Sequence, residues 1–470
     1  MKNILIAIRS IFKKGRHNVM KIVSLGIGLA VGLVLIAKVY FEQSYDDFYP
    51  DRDRVYQVWA KYQQNGGELK DYPQTSGGIA PTMQQQIPEI ETVTRYTSFG
   101  DWTFTMTDTK MKYSGRCIIA DSCFFDILPR PMLIGNAKEV LSTPMYVLIS
   151  SRIAKNIGGD VIGKNFTVDN SPGRTMTIGG VFEEVPENSH SRYDVIVSMA
   201  SAGRFMWEGS PTNMLGNDRY ISYVKLHKGV NPLALEEQVR TFVNSYFPPE
   251  EQQKVGLSID FSFHKLDNLH KELPQVKRMT WILSLLAFAL IFTAVMNYIL
   301  IVISSIVNRS KEVAVHKCYG ASENNIHGMM FGEALVHIVL SLILALLLIL
   351  AFRGTVEELL ATSLDSLLLS NGSLVLLGIC ILVFFVSGFM PGSLYARIPV
   401  ASAFRNYREN KRIWKKALLL VQFVATGFLV TMLVFVARQY TFMVNDRPGY
   451  AYENLAYCGL AGVDSTSRAK

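Results

Sequence analysis

An apolar window at residues 22–41, IVSLGIGLAVGLVLIAKVYF, is followed by no comparable segment until residue 281. A hydrocarbon core about 30 Å thick takes roughly 20 apolar helical residues to cross. One crossing therefore delivers residues 42–280 to a single side of a membrane before the chain returns. A chain patterned in this way is built around one large extramembrane domain.

Composition agrees. A mean hydropathy of +0.20 with 49% hydrophobic residues is high for a soluble enzyme and low for a chain lying wholly in a bilayer. The net charge of +8 raises nucleic acid as a partner, but the basic residues gather beside the apolar windows and form no single stripe. That distribution argues against nucleic acid and for a lipid bilayer.

Five windows are long enough to span: 22–41, 281–303, 331–352, 374–395 and 417–437. Backbone groups in lipid must be satisfied within the segment, so each is expected to be a helix. Lys38, near the end of the first window, is expected to extend its stem to the interface. Lys2, Arg9, Lys13, Lys14, Arg16 and Lys21 precede the first window, whereas Glu42, Asp46, Asp47 and Asp51 follow it. The excess of cations places the N-terminus in the cytoplasm. Arg309, Lys311 and Lys317 after the second window, and Arg397 to Lys416 after the fourth, belong on that same side. The first window is full length and ends in Val39, Tyr40 and Phe41, which suits a retained anchor and not a cleaved signal. Ahead of it, Ile4, Leu5, Ile8, Ile11 and Phe12 recur at helical spacing among cations, predicting an amphipathic cytoplasmic helix within residues 1–21.

Residues 42–275 read as a folded α+β domain. Strand-like runs at 54–59, 146–149, 176–182, 195–199 and 220–226 are separated by turn signals such as Gly66-Gly67 and Asn188-Ser189, with helices expected at 151–157 and 233–246. The segment is long enough for two subdomains.

Chemistry is scarce. The chain has no Gly-x-Ser-x-Gly turn, no His-Glu-x-x-His, no Cys-x-x-Cys and no phosphate loop, so no catalytic, cofactor or metal site is expected. His190, His264 and His270 are too scattered to suggest a metal. Cys117 and Cys123 are the pair able to meet in an oxidising compartment, and bridged and free thiols both remain open.

Three blocks carry a family resemblance. The first runs through Asp121-Ser122-Cys123-Phe124-Phe125-Asp126-Ile127-Leu128, Leu133-Ile134-Gly135, Ile162-Gly163-Lys164 and Ile178 to His190. The second is Arg309-Ser310-Lys311-Glu312 to Lys317-Cys318-Tyr319-Gly320-Ala321-Ser322, with Glu333 beyond. The third is Gly388-Phe389-Met390-Pro391-Gly392, Pro399-Val400 and Ala403-Phe404-Arg405. Together they resemble the MacB/FtsX-type ABC transporter permeases.

The resemblance implies a helical membrane protein with a large extracytoplasmic α+β domain. Its parts are a cytoplasmic helix at 1–21, a span at 22–41, a MacB-like outer domain at 42–275 and an FtsX-like region with three spans at 281–395. A basic linker at 396–416, a fifth span at 417–437 and an outer tail at 438–470 follow. The last two resemble the start of a second copy, as in duplicated eight-span permeases, cut short at Lys470.

It further implies a multi-pass protein of the bacterial inner membrane, with its large domain periplasmic and a cytoplasmic ABC ATPase as partner. Arg309, Lys311, Glu312, Lys317, Gly320, Ala321 and Ser322 are then expected to form the ATPase-coupling segment. Gly320 also reads as a helix stop. Pro391 is expected to kink or end the fourth span and Pro399 to set the exit of the chain. A homodimer or second permease module, and a periplasmic adaptor with an outer-membrane factor, complete the expected partners. The function implied is non-catalytic: motion of the ATPase is passed to the outer domain to extrude a peptide, antibiotic or lipid-linked substrate. The alternatives are a regulator of a cell-wall hydrolase or sensor kinase driven by the same motion, and a membrane receptor without an ATPase.

Overall fold

The structure, a computed structural model, describes residues 17–168, 173–216, 218–368, 372–396 and 413–445. The expected N-terminal amphipathic helix, Pro399, most of the basic linker and the tail after Asn445 lie outside the described residues. The described residues divide into two units, one made of residues 17–43 with those from 274 to 445, the other of Ser44–Leu273.

In the first unit, helix α1 (Asn18–Gln43) packs against α2 (Pro274–Ser304) and α4 (Glu323–Ala351), with the short α3 (Ile306–Cys318) between those two in sequence. Helices α5 (Arg353–Leu360) and α6 (Leu364–Leu368) follow, then α7 (Ser373–Ala396) and α8 (Ile413–Asn445). Among them α1, α2, α4, α7 and α8 are long and apolar enough to cross a bilayer.

Close approach holds α1 in place. Gly28 and Gly32 form a Gly-x-x-x-Gly pair, the small-residue spacing that lets helix backbones come together in lipid. A Cβ on Gly28 would lie 2.2 Å from the Cβ of Ala294, and one on Gly32 2.4 Å from Ile291. On another face, a Cβ on Gly26 would meet Leu344 of α4 at 2.9 Å. Gly28→Ala is therefore expected to lower the melting temperature of the detergent-solubilised chain, read by tryptophan fluorescence. Adding Ala294→Gly should recover most of the loss, because the second change returns the missing volume.

Two lysines of α1 are enclosed. Lys21 is buried, 3.8 Å from Glu333 of α4, and donates to Asn18 Oδ1 at 3.2 Å. Lys38 is buried, pairs with Glu42 at 2.7 Å and donates to Thr362 Oγ1 at 2.8 Å. Both are paired because α1 is enclosed by neighbours, where a cation is stable only if paired.

Pro391 does not end its helix. It sits within α7, which runs on to Ala396. Gly388 and Gly392 admit Phe331 and His327 of α4 beside it. Helix α8 differs from the others in having no buried residue in its spanning window.

The second unit contains one sheet ordered β11-β1-β10-β3-β4-β9-β6-β8-β5. Its strands are β1 (Val55–Gln64), β2 (Lys70–Tyr72), β3 (Ile90–Met106), β4 (Lys112–Ala120), β5 (Met132–Ile134), β6 (Tyr146–Ser150), β7 (Asn165–Val168), β8 (Thr175–Phe182), β9 (Val195–Ser198), β10 (Ile221–Leu226) and β11 (Leu257–Lys265).

Two lobes share β3. In the first, β1, the helix Ile79–Gln86, β3, β10, the helix Glu236–Tyr246 and β11 make a βαββαβ unit with strand order 4-1-3-2. Both helices pack into its core through Ile79, Met83, Val239, Phe242 and Val243. In the second lobe, β3, β4, β9, β6, β8 and β7 pair in turn, and β7 returns to β3 to close a ring. Phe104, Cys117, Ile149, Phe166, Ile178 and Val197 fill it. β3 passes from one lobe to the other through a bulge at Gly100, whose φ of +75° favours glycine.

The thiols of Cys117 and Cys123 are free. Cys117 lies inside the ring and Cys123 donates to the Val93 carbonyl, so the open question of a bridge resolves to two thiols in different surroundings.

Candidate functional site

Helix α2 continues almost unbroken into α3. The joining residue, Ser305, keeps φ −79° and ψ −5°, and its hydroxyl donates to the Val302 carbonyl at 2.6 Å. On α3, Ser310, Val313 and Ala314 are buried against the bundle, whereas Lys311, Val315, His316 and Cys318 are exposed. A helix with one face seated and one face open presents a fixed surface.

The end of α3 is a pair of coupled caps. The Gly320 N–H donates to the Lys317 carbonyl and the Ala321 N–H to the His316 carbonyl, each at 3.0 Å, while Gly320 holds φ +84°. This is a Schellman closure, which glycine favours because the left-handed region costs a Cβ-bearing residue energy. One residue later the Ser322 hydroxyl accepts from the Asn325 N–H and starts α4, with Glu323 in the first turn. The turn between α3 and α4 is thus fixed at both ends.

Of the coupling residues expected from sequence, Lys311 and Ser322 are exposed, Glu312, Lys317 and Ala321 are half-buried, and Gly320 makes the turn. The side chain of Arg309 lies outside the described part. Sequence reasoning passed over Val315 and Tyr319. They are 43% and 86% exposed, four residues apart, two apolar groups on an otherwise polar surface. Their spacing was the available signal.

A second constellation lies in the second unit, near the start of its chain segment. Asp46, two residues into that unit, is fully buried with φ +60°. Its Oδ1 accepts from Ser189 Oγ at 2.9 Å and from the His190 N–H at 3.3 Å, and its Oδ2 meets His190 Nδ1 at 2.7 Å. His190 Nε2 bonds the Tyr223 hydroxyl and lies 3.0 Å from Ser191 Oγ, which in turn bonds Tyr96 at 2.6 Å. Burial pushes the Tyr49, Tyr193 and Tyr223 phenols up and that of Tyr96 to about 12. The phenols stay protonated at neutral pH. A chain of partners this enclosed is a structural latch.

Beside the latch, the two chain ends are joined directly. Tyr45 stacks on His270 with centroids 3.4 Å apart, and Lys271 bridges Asp47 at 3.1 Å and Asp267 at 2.8 Å. Burial pushes the Asp267 carboxyl up, but the Lys271 and Arg52 cations outweigh it and leave the group below its usual range. A lowered carboxylate contributes stability above its unfolded value near 3.9 and loses it as pH falls through the folded value. The melting temperature is therefore expected to be level for this cluster from about pH 5 to 8 and to fall below about pH 4. Asp267→Asn should flatten that acid limb.

The remaining motif residues serve the core. Asp121 accepts from the Arg95 backbone at 2.9 Å and its guanidinium at 3.2 Å, and Phe124, Ile127 and Leu128 are buried. Among the described residues no group of histidines, cysteines and carboxylates is placed to hold a metal.

The family profile described as the MacB-like periplasmic core domain matches residues 20–242, and that described as the FtsX-like permease C-terminal matches residues 284–400. A solved domain described as part of a permease protein from Porphyromonas gingivalis is 33% identical, covering 46% of this chain and 91% of that one, with a TM-score of 0.43. The chain belongs to the MacB/FtsX-type ABC transporter permease family. The periplasmic region of MacB from Actinobacillus actinomycetemcomitans is 14% identical over 47% of this permease and 92% of that chain, TM-score 0.33. The extracellular domain of the noncanonic ABC-type transporter YknZ from Gram-positive bacteria is 11% identical over 44% and 98%, TM-score 0.31. No curated protein matches the permease. Membership makes the chain a permease subunit of an ABC transporter, a multi-pass membrane protein for which a cytoplasmic ABC ATPase is the implied partner.

Proposed function

We propose that this permease, seated in the bacterial inner membrane with its N-terminus inside and residues 44–273 in the periplasm, passes motion of a separate ATPase to that outer domain. The observation that carries the reading is the nearly continuous α2–α3 helix ending in the Schellman turn at Gly320. A push on α3 cannot be absorbed by a flexible loop there. The exposed face of α3, with Lys311, Val315, His316 and Tyr319, is offered to the ATPase, and Glu312 and Lys317 flank it. Tyr319 and Val315 supply apolar anchors, the residue class that concentrates binding energy at interfaces.

Motion of α1 and α2 then enters the outer domain through chain continuity, at Ser44 and at Leu273. There the Tyr45–His270 stack and the Lys271–Asp47 pair join the two ends, and the Asp46 latch ties the first of them to His190. The output is extrusion of a peptide, antibiotic or lipid-linked substrate from the outer side, with a second module, another copy of this chain or a linked permease half, completing the transporter. A periplasmic adaptor with an outer-membrane factor fits the same role.

The test is purification with the tagged ATPase. The intact permease should retain it, and Glu312→Ala with Lys317→Ala should lose most of it while still showing a cooperative melting transition. Equal retention by both would overturn the placement of the coupling face. Absence of any ATPase on the intact protein would favour the receptor reading.

A further inference from the structure

The βαββαβ lobe ends on β11, which among the described residues pairs with β1 alone. Among the described residues its far edge carries no further strand. The register with β1 is regular from Leu257 to Lys265, so alternate residues turn their N–H and C=O groups outward. The outward donors are identified by what meets them: the Ile259 N–H is held by Gln252 Oε1 at 2.9 Å and the Phe261 N–H by Asp260 Oδ1 at 2.8 Å. By the same alternation the Phe263 N–H faces out. Side chains thus stand in for a missing neighbour strand at two positions.

A cleft of about 1260 Å³ runs beside this edge, and every residue from 258 to 264 lines it. Its opposite wall is the helix Glu236–Tyr246, through Val239, Arg240 and Val243. That volume exceeds the range of about 300–1,000 Å³ typical of small-molecule pockets. Its extent along the strand matches an extended chain. Alternation sets the pattern of the occupant: Ile259, Phe261 and Phe263 turn to the helix side, and Ser258, Asp260, Ser262 and His264 to the other.

We infer that the β11 edge is a docking site for a free linear peptide, which adds a strand to the sheet with apolar residues on the helix side and polar residues opposite. Backbone hydrogen bonds give the affinity and the alternation gives the selectivity. Entry requires the peptide carbonyls to replace Gln252 and Asp260 at the Ile259 and Phe261 donors. Asp260 therefore acts as a gatekeeper on an edge that would otherwise pair indiscriminately. The assignment does not depend on the ATPase-coupling reading.

The experiment is fluorescence anisotropy with the full chain in nanodiscs and a labelled, lysine-flanked nonapeptide of alternating valine and serine. Saturable binding is expected. N-methylation of alternate peptide amides, which removes the edge-facing donors, should weaken it at least tenfold, and Phe263→Pro, which deletes an outward N–H, should do likewise. Asp260→Ala should strengthen it severalfold by freeing the Phe261 donor. This last change is opposite in sign to damage of the fold, so the idea remains testable if Phe263→Pro misfolds. Binding that does not saturate, or that is indifferent both to N-methylation and to Asp260→Ala, would overturn the site.

Discussion

Asp46→Ala is expected to destabilise the second unit by about 3 kcal/mol, since it leaves the His190 N–H and His190 Nδ1 without their buried acceptor, and each buried orphan costs roughly 1–3 kcal/mol. Alanine also fits poorly at φ +60°, where asparagine and aspartate are tolerated. For a domain of this size the loss corresponds to a fall of about 6–12 °C in melting temperature. Asp46→Asn keeps one acceptor oxygen and the backbone preference, so its effect should be less than half as large. Equal effects of the two substitutions would mean that backbone conformation, and not the latch, sets the cost.

The second large effect concerns Tyr319. At 86% exposure the ring contributes almost nothing to the stability of the permease itself. Tyr319→Asp should cost only about 0.3–1 kcal/mol of stability, the effect of an acidic group at the C-cap of α3. If the ring is an anchor in the ATPase, its loss should cost about 2–4 kcal/mol of binding, which is roughly 30- to 1,000-fold in affinity. The measurement is titration of the purified ATPase onto the permease in nanodiscs. An unchanged affinity would remove Tyr319 from the interface.

The layout of the chain was legible because membrane spans advertise themselves: length and apolarity alone marked residues 22–41, 281–303, 331–352, 374–395 and 417–437, and helices occupy all five. Hydropathy could not reveal enclosure. The burial and pairing of Lys21 and Lys38 were not foreseen because the glycines that seat α1 against its neighbours were not weighed, though Gly28 and Gly32 stand at a recognisable spacing. In the second unit, β6, β8, β9 and β10 were visible as short apolar runs, whereas β3 and β11 were not. β3 is divided between two cores by its bulge, and β11 interleaves polar edge residues with its buried ones, so neither shows one clean period.

The Asp46 latch was hidden for a different reason. Asp46 counted only as one of several acids after the first span, and Asn188-Ser189-His190 only as a turn. Residues 46 and 190 meet through tertiary structure, which no local pattern encodes. The motif Asp121 to Leu128 was conspicuous in sequence, yet its residues serve the core, as Phe124 and Ile127 show. By contrast the Gly320 turn is local chemistry, and a local reading sufficed to locate it.

Transmission from α3 to the outer domain is tested most directly by hydrogen–deuterium exchange of the full permease in nanodiscs with its ATPase, with and without ATP. The account predicts that ATP changes exchange severalfold in residues 44–52 and 266–273, and that Tyr319→Asp abolishes this change at ATPase concentrations that saturate the unmodified chain. Exchange in those two segments that is indifferent to nucleotide while the ATPase is bound would contradict it.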